Sequence, residues 1–393
     1  MTAPPPGLEN QARQLMGQGK LAEAEALIRP YLASGSGPIP LWRALAQAIR
    51  AQGRIAEARA IQEMLVEAVP GDLPGRFDLA ESALLLGDFA RGWREYHWRY
   101  SLDHTTRIDR KVQRPSWDGR RIEGKTLLIH DEQGYGDSLQ FMRLVSLARQ
   151  RSGARVILEM NNDLMPLAAR LEGFDTLLPR GTIPPPFDVH AQMMSLPMIL
   201  GLKLTDLPGK IPYLSADPGR VAFWRRRLEN LPRPLAATVW AGRPTHHNDA
   251  NRSLRLADFA PLGGRGVTFV AVQKGPKAVE AGAPPPGLDI ISLSDEIRDF
   301  EDTAAILTVA DLLVSVDSSP IHLAGALGRP AWVLLPFVPD WRWLLDREDT
   351  PWYPGMRLFR QPAIGDWPSA IARLGDALES FRPGSGVSGR PGS

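Results

Sequence analysis

The chain has 393 residues, enough for two to three domains at roughly 100–200 residues each, and 44% of them are apolar, which supports packed cores and excludes a disordered chain. A formal charge of +2 without a run of five like charges provides no basic face for nucleic acid, and the lack of cysteine excludes a disulfide framework, a thiol nucleophile and a thiolate metal site. No apolar run approaches the ~18 residues of a membrane span, and the opening MTAPPPGLEN lacks the basic and apolar parts of a signal peptide, so a cytoplasmic protein is expected.

The first 106 residues carry a repeat. Gly19, Gly53 and Gly87 are each 34 residues apart, and the segments GKLAEAEAL, GRIAEARAI and GDFARGWRE align in register. Seven residues before each glycine stand Ala12, Ala46 and Ala80, and five after it Ala24, Ala58 and Gly92; Pro70 closes the second unit. Small residues where two helices cross, with glycine in the turn between them, predict helical hairpins over 7–106. The period resembles the tetratricopeptide repeat, and three units are about the minimum that buries a continuous core. Trp93, Tyr96, Trp98 and Tyr100 end the third unit and are expected to pack as a capping helix against the next domain.

After a connector at 107–121 the pattern changes. KTLLIH reads as a buried strand, DEQGYGDS as a glycine-rich loop, LQFMRLVSLARQ as a helix, RVILEM as a strand and DLMPLAARLEG as a helix. This alternation predicts a doubly wound parallel-sheet domain over 107–230, closed by the linking helix VAFWRRRLENLP. It restarts over 231–382 with strands LAATVWAG, VTFVAVQK, LDIISL, DLLVSV and AWVLLP and helices ADFAPL, FEDTAAILTVA and IHLAGALG. WPSAIARLGDALESF is read as a final helix crossing back onto the first α/β domain. The tail at 383–393 has a disordered composition. Two such domains in tandem leave a cleft, and ligands bind at the carboxyl ends of their strands.

Four loops fall at those ends. Gly134, Tyr135, Gly136, Asp137 and Ser138 follow a strand and open a helix: the glycines allow close backbone approach, and Asp137 suits either an N-cap or chemistry. A dinucleotide fingerprint, with Glu159 as the ribose acid, fails at Leu139, where its third glycine belongs. The turn Trp240-Ala241-Gly242-Arg243 continues through His246, His247, Asn248 and Asp249 to Arg252 and Ser253, and its cations suit a diphosphate as well as solvent. Asp317, Ser318, Ser319, Pro320 and His322 form a strand-to-helix turn: Ser318 or Ser319 suits the cap, Pro320 the first turn, and the end would bind phosphate. Last, Pro339, Asp340, Trp341, Arg342 and Trp343 crowd a loop with flat aromatic faces that suit a sugar, a nucleobase or domain packing.

The order GxGD, WAGxPxHxND with NRS, SVDSxxxHLAGALGxP, WVLLPFVPDWRW and PWYPxMRLFRQ resembles tetratricopeptide-containing bacterial glycosyltransferases, related to the lipopolysaccharide heptosyltransferases and more distantly to the protein O-GlcNAc transferases. The resemblance runs from about Gly7 to Phe381. It implies a GT-B fold, two Rossmann-like domains facing a cleft behind an all-α array, with a nucleotide-sugar donor held mainly by the second domain. No Asp-x-Asp pair occurs, so the resemblance implies transfer without a metal or other cofactor. It assigns Asp137 as general base, with His246 or His247 as the alternative. Ser318, Ser319, His322 and Arg252 fall to the departing diphosphate, with Arg243, Ser253 and Lys274 beside them. Asp317 falls to donor sugar hydroxyls, and Trp240, Asp340 and Trp341 to sugar or base contacts. The repeats point to a protein or peptide acceptor, such as a surface or flagellar protein. Surface polysaccharide or lipopolysaccharide assembly, and a non-catalytic scaffold with a vestigial transferase domain, are the alternatives.

Overall fold

Glycine sets each turn of the N-terminal array. The computed structural model describes residues 4–101, 114–246 and 248–383; His247, the tail from 384 and much of the 107–121 connector lie outside the described residues. Helices α1 (Leu8–Gly17) and α2 (Leu21–Leu32), α3 (Ile39–Ala51) and α4 (Ile55–Ala68), and α5 (Leu73–Leu85) and α6 (Phe89–Tyr96) follow one another in three pairs. Gly19, Gly53 and Gly87 take φ of 75°, 84° and 79° in the turns within the pairs, a region a side chain would strain. Ala12, Ala46 and Ala80 are fully buried, so the helices approach closely there, and a Cβ at Gly92 would run into Leu84. Leu8, Ile28, Leu41, Leu45 and Ile49 fill one continuous core. Ion pairs 29 residues apart (Arg54 with Glu25, Arg43 with Asp72, Arg59 with Asp88) lace successive hairpins, each a small contribution at partly exposed positions.

The aromatic end of the array receives a guest. The segment Phe337–Asp346, expected in the second α/β domain, belongs to the same compact unit as the helices. Trp341 is buried with its ring edge-on to Trp93 at 5.2 Å and to Tyr96 at 6.2 Å. A Cβ at Gly53 would stand 2.7 Å from the ring of Phe337.

The second unit holds two parallel sheets. The first is built from β1 (Thr126–His130), α7 (Tyr135–Phe141), α8 (Val145–Ser152), β2 (Arg155–Met160), α9 (Met165–Ala168), β3 (Thr176–Pro179), β4 (Val189–Gln192) and α10 (Leu196–Leu200). Helix α11 (Pro218–Leu228) leads to the second, built from β5 (Leu235–Val239), α12 (Asp249–Arg252), β6 (Thr268–Ala271), β7 (Ile290–Ser292), α13 (Phe300–Val309), β8 (Leu312–Val316), α14 (Ser319–Ala326), β9 (Ala331–Leu335), β10 (Met356–Arg360) and α15 (Trp367–Glu379). The strand orders are β3-β2-β1-β4 and β10-β9-β8-β5-β6-β7, and every pairing is parallel. The second order is that of a doubly wound sheet, and the first matches its opening four strands. In both, the direction of winding reverses beside the first strand: between β1 and β4, and between β5 and β8.

Strands β5, β8 and β9 are buried throughout, as apolar runs covered on both faces should be. Helix α15 corrects the sequence reading: Ala370, Ile371, Leu374 and Leu378 join the second sheet's own core with Phe259, Leu262 and Phe359. Its apolar face is matched there, so it has no need to cross to the first domain. Helices α11 and α13 are clasped by Asp302, fully buried, which accepts from Nη1 of Arg220 at 2.6 Å and Nε1 of Trp224 at 3.0 Å. Among the described residues no helix is long and apolar enough to cross a membrane.

Candidate functional site

Ligands of doubly wound sheets bind outside the carboxyl ends of the strands where the winding reverses. The loops at those ends are 131–134 after β1, 240–248 after β5 and 317–318 after β8. Three of the four loops singled out in the sequence therefore stand at switch points.

The first and third meet in space. A Cβ on Gly136 would stand 2.9 Å from Cδ2 and 3.6 Å from Nε2 of His322, and 3.7 Å from Cα of Ser319. Glycine at 136 is thus required by the closeness of the two helix starts. Its neighbour Asp137, half-buried, accepts from the backbone N–H of Gly134 at 3.1 Å, and so does cap its own helix. Tyr135 points its ring at Phe300 (4.9 Å) and donates its hydroxyl to Asp163, which together with partial burial pushes its phenol up to about 12. Asp131, buried at the end of β1, accepts from the N–H of Asn161 at 3.0 Å and of Gln133 at 3.3 Å; burial raises its carboxyl above the usual range in spite of these bonds.

At the third loop the donors are fewer than the sequence suggests. Ser318 occupies the N-cap position in extended conformation, yet its hydroxyl turns inward to the carbonyl of Val316 (3.3 Å) and to Oγ of Ser315 (3.2 Å). Pro320 brings no N–H, and Ile321 donates its own to the carbonyl of Ser318 at 3.1 Å. The first turn of α14 thus presents the Ser319 backbone and hydroxyl with the positive end of its dipole. Asp317 is buried beside it. His322 is also buried, and its Nδ1 lies 3.0 Å from the hydroxyl of Tyr353. Tyr353 has room only because residue 325 is glycine, where a Cβ would overlap its ring.

The second loop brings cations. Gly242 donates its N–H to Oγ of Ser253 at 2.8 Å, and Ser253 donates to Oδ1 of Asp249 at 2.8 Å, so Ser253 shapes the turn. Arg252 folds over Gly242, 3.7 Å from Asp249, with a buried Nε that makes no hydrogen bond. Arg243 is exposed, and its charge favours ionisation of Tyr135 in the first loop. His246 accepts from the N–H of Asn248 through Nδ1 at 3.2 Å.

Besides Ser318 and Ser253, four expected contacts are occupied otherwise. Trp240 is fully buried in the core of the second sheet, so neither of its faces is open to a ligand. Lys274 donates from Nζ to the carbonyls of Ser294 (2.8 Å) and Ile297 (2.9 Å). Trp341 is spent on the array. Asp340 caps the same turn, accepting from the N–H of Arg342 at 3.0 Å and from its Nη1 at 2.9 Å.

The sequence reading missed Arg143, whose guanidinium lies 4.6, 4.8 and 5.7 Å from the ring centroids of Tyr213, Tyr353 and Trp352. It donates to the carbonyls of Pro208 (3.2 Å) and Trp352 (3.1 Å) and to the hydroxyl of Tyr213 (3.1 Å). Tyr213 in turn donates to the carbonyl of Leu139 at 2.7 Å. Burial works against the charge of Arg143, yet the hydroxyls of Tyr213 and Tyr353 hold its pKa above the ordinary arginine value. The one available signal was a single arginine inside the apolar run LQFMRLV.

No protein-family model matches the chain. Among curated proteins it is 27% identical over 335 residues to Protein FlbA of Caulobacter vibrioides, covering 78% of this chain and 55% of that protein. The chain thus spans about half the length of the curated relative it matches. Among solved structures it is similar to the Escherichia coli ADP-heptose lps heptosyltransferase II, at 13% identity over 65% of this chain and 98% of that one, with a TM-score of 0.45. It is also similar to a glycosyl transferase family 9 protein of Veillonella parvula DSM 2008, at 9% identity over 68% and 92%, with a TM-score of 0.47. The doubly wound architecture stands on the strand pairings themselves.

Proposed function

We propose that the chain is a GT-B glycosyltransferase that moves a sugar from a nucleotide-sugar donor to a hydroxyl acceptor, with its N-terminal helices acting as a tetratricopeptide array. The observation that carries the reading is the meeting of Gly136 with Ser319 and His322 at the switch points of two doubly wound sheets. A donor diphosphate laid there faces the start of α14, the Cδ2–Nε2 edge of His322 and the cations Arg252 and Arg243, which meet its growing negative charge without a metal. The acceptor oxygen attacks the anomeric carbon as the bond to the diphosphate breaks, and its proton passes to the carboxylate of Asp137. His246, which accepts from a backbone N–H through Nδ1, is the second candidate for that proton.

The first test is a melting-temperature panel across UDP-, GDP-, ADP-, dTDP- and CMP-sugars. One of them should raise the melting temperature, since binding to the folded state stabilises it by mass action. No shift with any of them would count against the donor site. Asp137→Asn should keep the donor shift and lose transfer by about 10²–10⁴-fold, the usual weight of a general base; full transfer would remove Asp137 from that role. Isotopic transfer in a lysate then sorts the acceptor. Label on one protein band supports a protein held by the repeats, and label confined to glycan or lipid supports polysaccharide or lipopolysaccharide assembly.

A further inference from the structure

The Cδ2–Nε2 edge of His322 lies against the turn at Gly136, so which ring nitrogen carries the proton decides what it can do there. A neutral imidazole carries one N–H, on either nitrogen, and the partner of one nitrogen fixes the other. Here Nδ1 faces the hydroxyl of Tyr353 at 3.0 Å, and the Cδ2–Nε2 edge faces Gly136. Tyr353 does not stand alone. The guanidinium of Arg143 lies 4.8 Å from its ring centroid, held in place by the carbonyls of Pro208 and Trp352 and by the hydroxyl of Tyr213. A guanidinium only donates. The hydroxyl of Tyr353 is also a hydrogen-bond partner of this guanidinium; its oxygen can only accept from that donor, which leaves the phenol proton for Nδ1.

We propose that Tyr353, oriented by Arg143, donates its proton to Nδ1 of His322 and so holds that histidine as the neutral Nε2–H tautomer, with the N–H presented at the Gly136 turn. Tyr353 is then a positioning residue. Resting on the donor reading above, it makes His322 a fixed hydrogen-bond donor to a diphosphate oxygen, while the lasting positive charge belongs to Arg143 behind it and to Arg252. The spacing of His322 and Gly325 on α14 serves this arrangement: one residue takes the hydroxyl, and the other makes room for the ring that bears it.

The test is nitrogen NMR on full-length protein labelled with ¹⁵N-histidine at neutral pH, without ligand, and with His322→Gln to assign the resonances. Wild type should show His322 with its proton on Nε2 and a hydrogen-bonded, unprotonated Nδ1. In Tyr353→Phe the ratio of Nε2–H to Nδ1–H forms should fall about fivefold, the change one ordinary neutral hydrogen bond makes. An Nδ1–H or doubly protonated ring in wild type, or an unchanged ratio in Tyr353→Phe, would overturn the proposal. Should Tyr353→Phe fail to fold, the wild-type tautomer alone still decides. None of these readouts needs a sugar donor. A chain that binds no nucleotide-sugar would leave the tautomer standing, and a wrong tautomer would overturn the relay whatever the chain transfers.

Discussion

The loops after β8 and β9 leave neighbouring strands of one sheet and come to different ends. Both are rich in polar and aromatic residues, and both stand at carboxyl ends of parallel strands. The β8 loop turns at once into α14, and its His322 meets Gly136 of the first sheet. The β9 loop gives up its aromatic residues to the helical array, where Trp341 packs on Trp93 and Tyr96. Placement at a strand end is therefore a poor guide to ligand contact. What decides is the nearest surface able to bury the side chain. Trp93 and Tyr96 offer an apolar, edge-on seat for an indole, whereas a glycine across the gap offers only closeness, which suits a polar group and a ligand.

The largest effect expected from this contrast is that of Trp341→Ala. Removing a buried indole costs about 3–5 kcal/mol, a large share of the stability of a small helical array. Hydrogen exchange in α5 and α6 should accelerate by the corresponding factor, while any melting shift produced by a nucleotide-sugar persists. A variant that lost the donor shift and left exchange in α5 and α6 untouched would return Trp341 to the ligand site and break the contrast.

Gly136→Ala probes the other loop. Its Cβ would stand 2.9 Å from the ring of His322, so α7 or α14 must give way, at a cost of about 1–3 kcal/mol. The donor-induced shift should vanish while exchange in α5 and α6 stays as in wild type. A Gly136→Ala protein that kept the full donor shift would show that the meeting of the two loops does not form the site.

The array and the sheets were legible because each follows from a period. Gly19, Gly53 and Gly87 recur every 34 residues since each hairpin needs the same turn, and the buried strands read as apolar runs since helices cover both their faces. Gly136 and His322 were legible as types, because a close approach and a helix start each restrict the residue. Trp240, Lys274 and Trp341 misled, because indole and ammonium groups serve a core, a carbonyl pair or a ligand equally well, and sequence does not say which partner is nearest. Arg143 and Tyr353 were hidden for a related reason: the partners that define them, Tyr213, Trp352 and His322, lie far apart in the chain. Helix α15 was placed on the wrong sheet because an amphipathic face does not name the surface it covers.

The smallest expected effect separates the two units by pH. Asp78 in α5 is pushed up to about 6, chiefly by burial and next by Glu81, against the hydrogen bond from Gln47. Asp302 between α11 and α13 goes the other way: burial raises it, but the N–H of Arg298, the indole of Trp224 and Arg220 together hold it below the ordinary value of 3.8. A carboxyl raised in the folded state binds its proton more tightly there than in the unfolded chain. Asp78 therefore weakens the array as pH climbs from 3.8 through about 6, and that loss is complete at pH 7. A carboxyl lowered in the folded state stabilises above its unfolded value and withdraws that support only as pH falls below 3.8, so Asp302 is silent between pH 5 and 7. Acidifying from pH 7 to 5 should then strengthen the array by about 1 kcal/mol, allowing for the partial exposure of Asp78, and Asp78→Asn should remove that gain. Exchange rates in α3 and α5 at the two pH values measure it. A gain that survives in Asp78→Asn would assign the pH response to another group and leave the acid of α5 without weight.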